Sequence, residues 1–378
     1  MKTYQNIYKE GAWQEPLEKQ NAQLLLLFGD RDIARNVMVH SDLQDAFPDA
    51  EWVGCTTSGE IQGLELHDHS LCLTAICLER SSVKVQAERL SDHSSVRQTA
   101  NAIAEQLPHE DLKYVLVLSD GQKVNGTELI EGLTEKLPEG VDISGGLAGD
   151  GTRFSETLVW HNDRAESGQI VVVGFYGDAL CVGHGSQGGW DSFGPKRLIT
   201  RSKANELFSL DDKPALELYK SYLGEHASDL PSSALLFPLL VSPKDESMPV
   251  IRTILNICEE QNSMIFAGDI PEGASAQLMR ANFDRLIDGA ENAAENALTR
   301  HAQYEGDGLA LLISCVGRRL VLNQRVEEEI ESVKDTLGEN WSYTGFYSYG
   351  EISPTQTHEG CALHNQTMTI TTIFERDA

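Results

Sequence analysis

Gly345-Phe346-Tyr347-Ser348-Tyr349-Gly350-Glu351-Ile352 closes a pattern that opens at Ala310-Leu311-Leu312-Ile313-Ser314-Cys315-Val316-Gly317-Arg318, and the chain states that pattern three times. Each statement is a short apolar strand ending on polar residues, an amphipathic helix, and a second strand running into glycine. The first joins Leu24-Leu25-Leu26-Leu27-Phe28-Gly29-Asp30 to Val53-Gly54-Cys55-Thr56-Thr57-Ser58-Gly59-Glu60-Ile61. The second joins Val115-Leu116-Val117-Leu118-Ser119-Asp120-Gly121 to Ile143-Ser144-Gly145-Gly146-Leu147-Ala148-Gly149-Asp150-Gly151. Asp30 to Gly54, Asp120 to Gly145 and Ser314 to Gly345 span 24, 25 and 31 residues (54−30, 145−120, 345−314). That is room for a strand, one helix and a parallel strand. Loops leaving the carboxyl ends of such strands gather on one side and form a ligand crevice. Glycine there makes a tight turn or lets backbone approach a ligand. Tyr343–Glu351 and Leu363–Ile373 also carry more polar side chains in strand-like sequence than a core needs.

Composition narrows the class. A chain of 378 residues, 40% apolar, suggests two domains or three. The apolar run Leu24–Phe28 is too short to span a bilayer, and the N-terminus lacks the basic-then-apolar design of a signal peptide; a cytosolic protein is expected. Seven cysteines with no Cys-x-x-Cys pair signal neither a disulfide framework nor a structural zinc site. The formal charge of −28 repels polyphosphate backbones, so nucleic acid is not an expected partner.

The predicted fold class is α+β: two domains with mixed, largely antiparallel sheets covered by helices and built partly from repeated strand-helix-strand units. Residues 1–20 read as a lead-in arm, and 71–78 and 83–90 as paired strands. Helices are expected over 94–107, 214–223, 275–297 and 326–337, the second opened by Pro214 after Asp211-Asp212. Strands are expected at 157–160, 170–176, 180–183, 235–241, 249–257 and 264–269. A boundary near Pro214 divides the chain into 22–213 and 214–373, with no room for an output module on either side, so a signal would leave through a partner.

Six residues stand out chemically. His184, in Gly183-His184-Gly185-Ser186-Gln187-Gly188-Gly189-Trp190, reads as an imidazole exposed by a glycine-rich loop, a metal-ligand geometry or a plain surface histidine. His364 enters a strand, either satisfying a carbonyl or contacting a ligand beside Glu351. Cys315 and Arg318 end the strand of the third unit. A thiol beside a guanidinium, with His364 as base, makes a thiol-dependent hydrolase formally possible, although cysteine more often packs in a core. Arg252, a charge in an apolar strand, needs Glu351, Glu272 or a ligand carboxylate as partner.

Gly54 through Ile61, Gly145 through Gly151 and Pro214-Ala215-Leu216-Glu217 resemble the N-terminal FIST domain, a sensory module of signal-transduction proteins. Arg252-Thr253, Phe266 through Gly273, Ser314 through Arg318, Gly345 through Glu351 and His364-Asn365-Gln366-Thr367 resemble its C-terminal partner. The chain is similar to the nitric-oxide-sensing NosP subset in having both domains and no output module. That resemblance implies haem b as cofactor, nitric oxide as signal and a partner histidine kinase. Haem needs an apolar slot and an axial ligand; His184 is the first candidate for its iron, His364 the second and Cys315 the third. The alternative is a sensor of an amino-acid-like molecule, its carboxylate on Arg252 or Arg318 and its ammonium on Glu351. A homo-oligomer is compatible with either reading.

Overall fold

The computed structural model of the chain describes all residues except 245–248, 300–306, 356–359 and 377–378. Each repeat has a leading strand, Leu24–Gly29, Leu112–Ser119 or Gly308–Cys315. Each leading strand pairs in parallel with a following strand, Glu51–Thr56, Asp142–Leu147 or Trp341–Ser348. Helices Val37–Ala46, Gly126–Lys136 and Val326–Leu337 make the connections. On its other side each leading strand meets an antiparallel return strand, Ser70–Cys77, Gln169–Tyr176 or Met368–Glu375. Outer strands Lys2–Lys9, Ser82–Arg89 and Leu180–Gln187 flank the return strands, the first followed at the sheet edge by Ala12–Trp13.

The leading strands read as unbroken apolar runs because both of their faces are buried. In the first, Leu24, Leu26 and Phe28 enter a central core, while Leu25 and Leu27 pack outward beneath the helix Val37–Ala46. Leu116 and Leu118 point inward and Val115 and Val117 outward in the second. Leu309, Leu311 and Ile313 point inward and Ala310 and Leu312 outward in the third. Three sheets therefore share one inner core, and each carries its helices on the outside.

After its following strand, every unit leaves its own sheet. Glu60–Gln62 pairs with Trp341–Ser348 in the third sheet, Val159–His161 with Glu51–Thr56 in the first, and Gly350–Pro354 with Asp142–Leu147 in the second. The exchange is cyclic and interlocks the two ends of the chain. A fourth sheet, with its own core under helix Ala215–Leu223, is built from strands between Trp190 and Ala281. It is inserted between the last edge strand and helix Phe283–Leu298 of the third unit. The helix-covered mixed sheets agree with the expected α+β class.

Several local expectations change. Ser275–Ala281 is a strand, held between Trp190–Lys203 and Leu239–Ser242; the helix starts after Asn282, whose side chain accepts from the Arg285 N–H at 3.3 Å. Ser70–Cys77 and Ser82–Arg89 do not pair with each other, because the first borders Leu24–Gly29 and the second Gln169–Tyr176. Residues 1–20 contain the strand Lys2–Lys9, paired with Ser70–Cys77, and the strand expected from Leu235 starts at Leu239 after a 3-10 turn. Among the described residues no helix is long and apolar enough to cross a membrane.

Candidate ligand-binding site

Strand register fixes which positions of the three units correspond. Gly54, Gly145 and Gly345 sit opposite Leu27, Val117 and Leu312. A Cβ at any of them would fall inside the facing carbonyl oxygen, so these glycines set the closeness of the two strands. Counting from them, Asp30, Asp120 and Cys315 are equivalent; the third unit's match to the aspartates is Cys315 rather than Ser314. Likewise Thr57 corresponds to Ser348, and Glu60 to Glu351.

The repeated Gly-Glu-Ile is thus a repeated buried carboxyl. Glu60 accepts from Thr57 Oγ1 at 2.6 Å and from Ser70 Oγ at 2.7 Å. Glu351 accepts from Ser348 Oγ at 2.6 Å, and from the Thr367 hydroxyl and N–H at 3.1 and 3.2 Å. Ser70 and Thr367 occupy matching places at the starts of their return strands. Burial pushes both glutamates up to about 8, against the lowering effect of those hydroxyls. The second unit has Gly151 at this position. Its carboxylate is Asp120, which accepts from Thr157 Oγ1, Ser167 Oγ and the Gly168 N–H at 2.6–2.8 Å.

Around Glu60 the units meet at a cavity of about 450 Å³. The first unit contributes Asp30, the crossing segment Thr57–Glu60 and Asp68; the second contributes Asp150–Arg153; the third contributes Val316 and Arg319. Arg319 donates Nη1 to the Ser58 carbonyl and Nη2 to Asp68 at 2.6 Å. A Cβ on Gly59, whose φ is +128°, would strike that guanidinium, which explains glycine there. Arg153 donates Nε to the Asp150 carbonyl at 2.8 Å and places Nη2 3.5 Å from Asp30 Oδ2. Burial alone would raise Asp150, but the Tyr349 hydroxyl and the N–H groups of Glu156 and Ser155 hold it below the usual carboxylate range. Four carboxyl groups and two guanidinium groups therefore face one small space.

The six residues singled out from sequence lie elsewhere, and none lines this cavity. Cys315, Glu351 and His364 of the third unit gather with Arg252 of the inserted sheet. Arg252 is buried and donates Nη1 to the Leu363 carbonyl at 2.9 Å and Nε to the Asp269 carbonyl at 3.2 Å; burial lowers it to about 10. His364 is the cross-strand partner of Glu351, and burial followed by the Arg252 charge lowers it to about 4. Burial, then Glu351, pushes the Cys315 thiol up, away from thiolate character. Arg318 is fully buried on Glu329 at 2.7 Å and also donates to the Gly188 and Leu286 carbonyls. It ties the last helices together.

His184 is not in an open loop. It lies on the edge strand Leu180–Gln187, 8% exposed, with Nδ1 3.3 Å from Thr371 Oγ1 and Nε2 3.7 Å from Asp142. The neighbouring glycines serve packing. A Cβ on Gly185 would enter the Ala293 carbonyl, and one on Gly289 the Gly188 carbonyl, so helix Phe283–Leu298 rests directly on this segment.

These placements do not fit haem. The His184 ring packs 5.5 Å from that of Tyr114 and opens onto a polar cavity of about 210 Å³, lined by Ser186, Asn296, Thr299 and Thr355 among others. That is smaller than the roughly 300–1,000 Å³ of pockets that enclose drug-sized ligands, and it is not an apolar slot. Cys315 is fully buried, and His364 is a partly buried strand residue opposite Glu351. The side chains lining the central cavity escaped sequence reasoning in part: Glu60 and Asp150 lie in the glycine loops read as ligand-facing, whereas no pattern marks Arg153 or Arg319.

Residues 23–213 match the FIST N domain and residues 215–354 the FIST C domain. The chain belongs to the FIST family. FIST domains are sensory modules of signal transduction, and the strand exchange shows how the two are joined. The third sheet combines Glu60–Gln62 and Leu180–Gln187 from the FIST N stretch with Gly308–Cys315 and Trp341–Ser348 from FIST C. No curated protein gives a significant match. Among solved structures, cyanuric acid hydrolase from A. caulinodans is similar at 9% identity and a TM-score of 0.37, over 94% of this chain and 91% of that one. A likeness that weak carries no argument.

Proposed function

We propose that this FIST protein is a cytosolic sensor of a small amino-acid-like zwitterion, which binds in the central cavity and changes the activity of a partner histidine kinase. The observation that carries the reading is the cavity of about 450 Å³ where Asp30, Glu60, Asp68 and Asp150 face Arg153 and Arg319. The carboxylates favour an ammonium group, and the guanidinium groups suit a carboxylate by paired N–H donation. The excess of carboxyl groups makes the amine the stronger determinant. Because all three units contribute walls, a ligand that prefers one arrangement of them shifts the whole body's equilibrium, which is what a sensor transmits. The kinase partner follows from the family resemblance.

An ammonium beside Glu60 stabilises its ionised form, so binding releases a proton and tightens as pH rises toward about 8. Calorimetry with the standard amino acids, run in buffers of different ionisation enthalpy, tests this. Expected are heat from at least one of them, proton release, and loss of both in Arg319→Ala and Asp150→Asn. Absence of binding by every amino acid, or binding untouched by both substitutions, refutes it. A Soret band after loading with haemin that shifts with nitric oxide refutes it in favour of haem.

A further inference from the structure

The repeat that builds the central cavity builds a second one. Val316, Arg319, Leu320 and Asn323 of the third unit line the central cavity. By strand register these positions correspond to Gly121, Val124, Asn125 and Glu128 of the second unit. All four line a separate cavity of about 410 Å³. The crossing segments correspond too, with Ser58 in the first cavity and Tyr349 in the second. The third counterpart, beside helix Arg31–Ala34, is bridged instead, Arg31 reaching Ser155 at 2.7 Å and Arg35 reaching Glu156 at 2.9 Å.

The chemistry of the second cavity differs because the inserted sheet covers it. Leu255 and Ile265 close one side, and Phe154 and Tyr349, stacked at 4.9 Å and 17°, close the other. Hydrogen-bonding groups, Gln122, Lys123 and Asn256, stand at its exposed mouth. Loop 150–154 separates the two cavities: Asp150 to Arg153 face the first and Phe154 the second, while the Tyr349 hydroxyl holds Asp150.

We propose that this second cavity is a ligand site for a small aromatic molecule bearing a hydrogen-bonding substituent, coupled to the central cavity through loop 150–154. The ring lies between Leu255 and Ile265 on one side and the Phe154–Tyr349 pair on the other, where apolar and aromatic walls reward a flat apolar body. The substituent reaches Lys123 and Gln122 at the mouth. Occupancy fixes Phe154 and Tyr349, and through them the position of Asp150 in the other cavity. Coupling through such a shared element changes affinity by about 5–150-fold and is reciprocal.

Saturation-transfer NMR on the full chain with benzoate, benzamide and benzylamine tests the site. At least one probe is expected to bind, to lose binding in Leu255→Trp, which fills the cavity, and to keep it in Arg319→Ala, which alters only the central cavity. The half-exposed position of Leu255 leaves room for the larger ring's edge, and an unchanged melting temperature verifies the fold; Ile265→Trp serves if it falls. No binding by any probe, or binding equal in both filled variants, overturns the site. Amino-acid binding to the central cavity is read separately, so failure there leaves this result interpretable. Asp150 lines only the central cavity and anchors the Tyr349 hydroxyl, so equal probe affinity in wild type and in Asp150→Ala overturns the coupling element.

Discussion

Replacing both buried glutamates, Glu60→Gln and Glu351→Gln, should remove a pH dependence that the fold imposes on its own stability. Each carboxyl moves from its ordinary 4.5 to about 8 on folding, driven first by burial. Between those values the folded protein holds protons that the unfolded chain has released. Stability from each group is therefore complete below about pH 4.5 and is lost as pH rises through about 8. At 1.36 kcal/mol per tenfold, a change of that size is worth about 5 kcal/mol per glutamate as an upper figure. Glutamine keeps the shape and both hydroxyl contacts without ionising. Urea unfolding followed by tryptophan fluorescence between pH 5 and 8.5 measures the effect. The wild-type free energy, minus that of the double variant, should fall steadily across this range by several kcal/mol. Taking the difference cancels the general repulsion expected of a chain with net charge −28. A flat difference, or one that grows with pH, refutes the claim that these carboxyls are buried uncharged.

Two further perturbations probe the same architecture. Gly345→Ala drives a methyl into the Leu312 carbonyl and should cost about 3 kcal/mol or more, read as a lowered urea midpoint or failure to fold. Glu329→Gln leaves the Arg318 guanidinium buried without its counter-charge and should cost about 3–5 kcal/mol, whereas replacing both by apolar residues of similar volume should recover much of it.

Much of the local structure was legible in the chain. Leu24–Phe28, Val115–Leu118 and Ala310–Ile313 announce strands buried on both faces because each is apolar at every position. The helices expected from 94 and from Pro214 start at Val96 and Ala215. Gly-Glu-Ile recurs in two units, and the structure gives those glutamates matching hydroxyl partners. Ser275–Ala281 misled because a seven-residue strand followed directly by a helix shares its alanines and leucines with that helix. His184 misled because glycine beside it signifies helix packing as readily as an open loop.

The amino-acid order by itself determined the three strand-helix-strand units, since burial on two faces and helical amphipathicity are written in neighbouring residues. Only the tertiary structure decided that each unit lends its next strand to another sheet, and so that Arg319 faces Glu60 across more than half the chain while Arg252 and Arg318 do not. Pairing between distant strands is chosen by register and close backbone approach, and those depend on which surfaces meet rather than on any local period. The charges that line the central cavity were fixed by that choice.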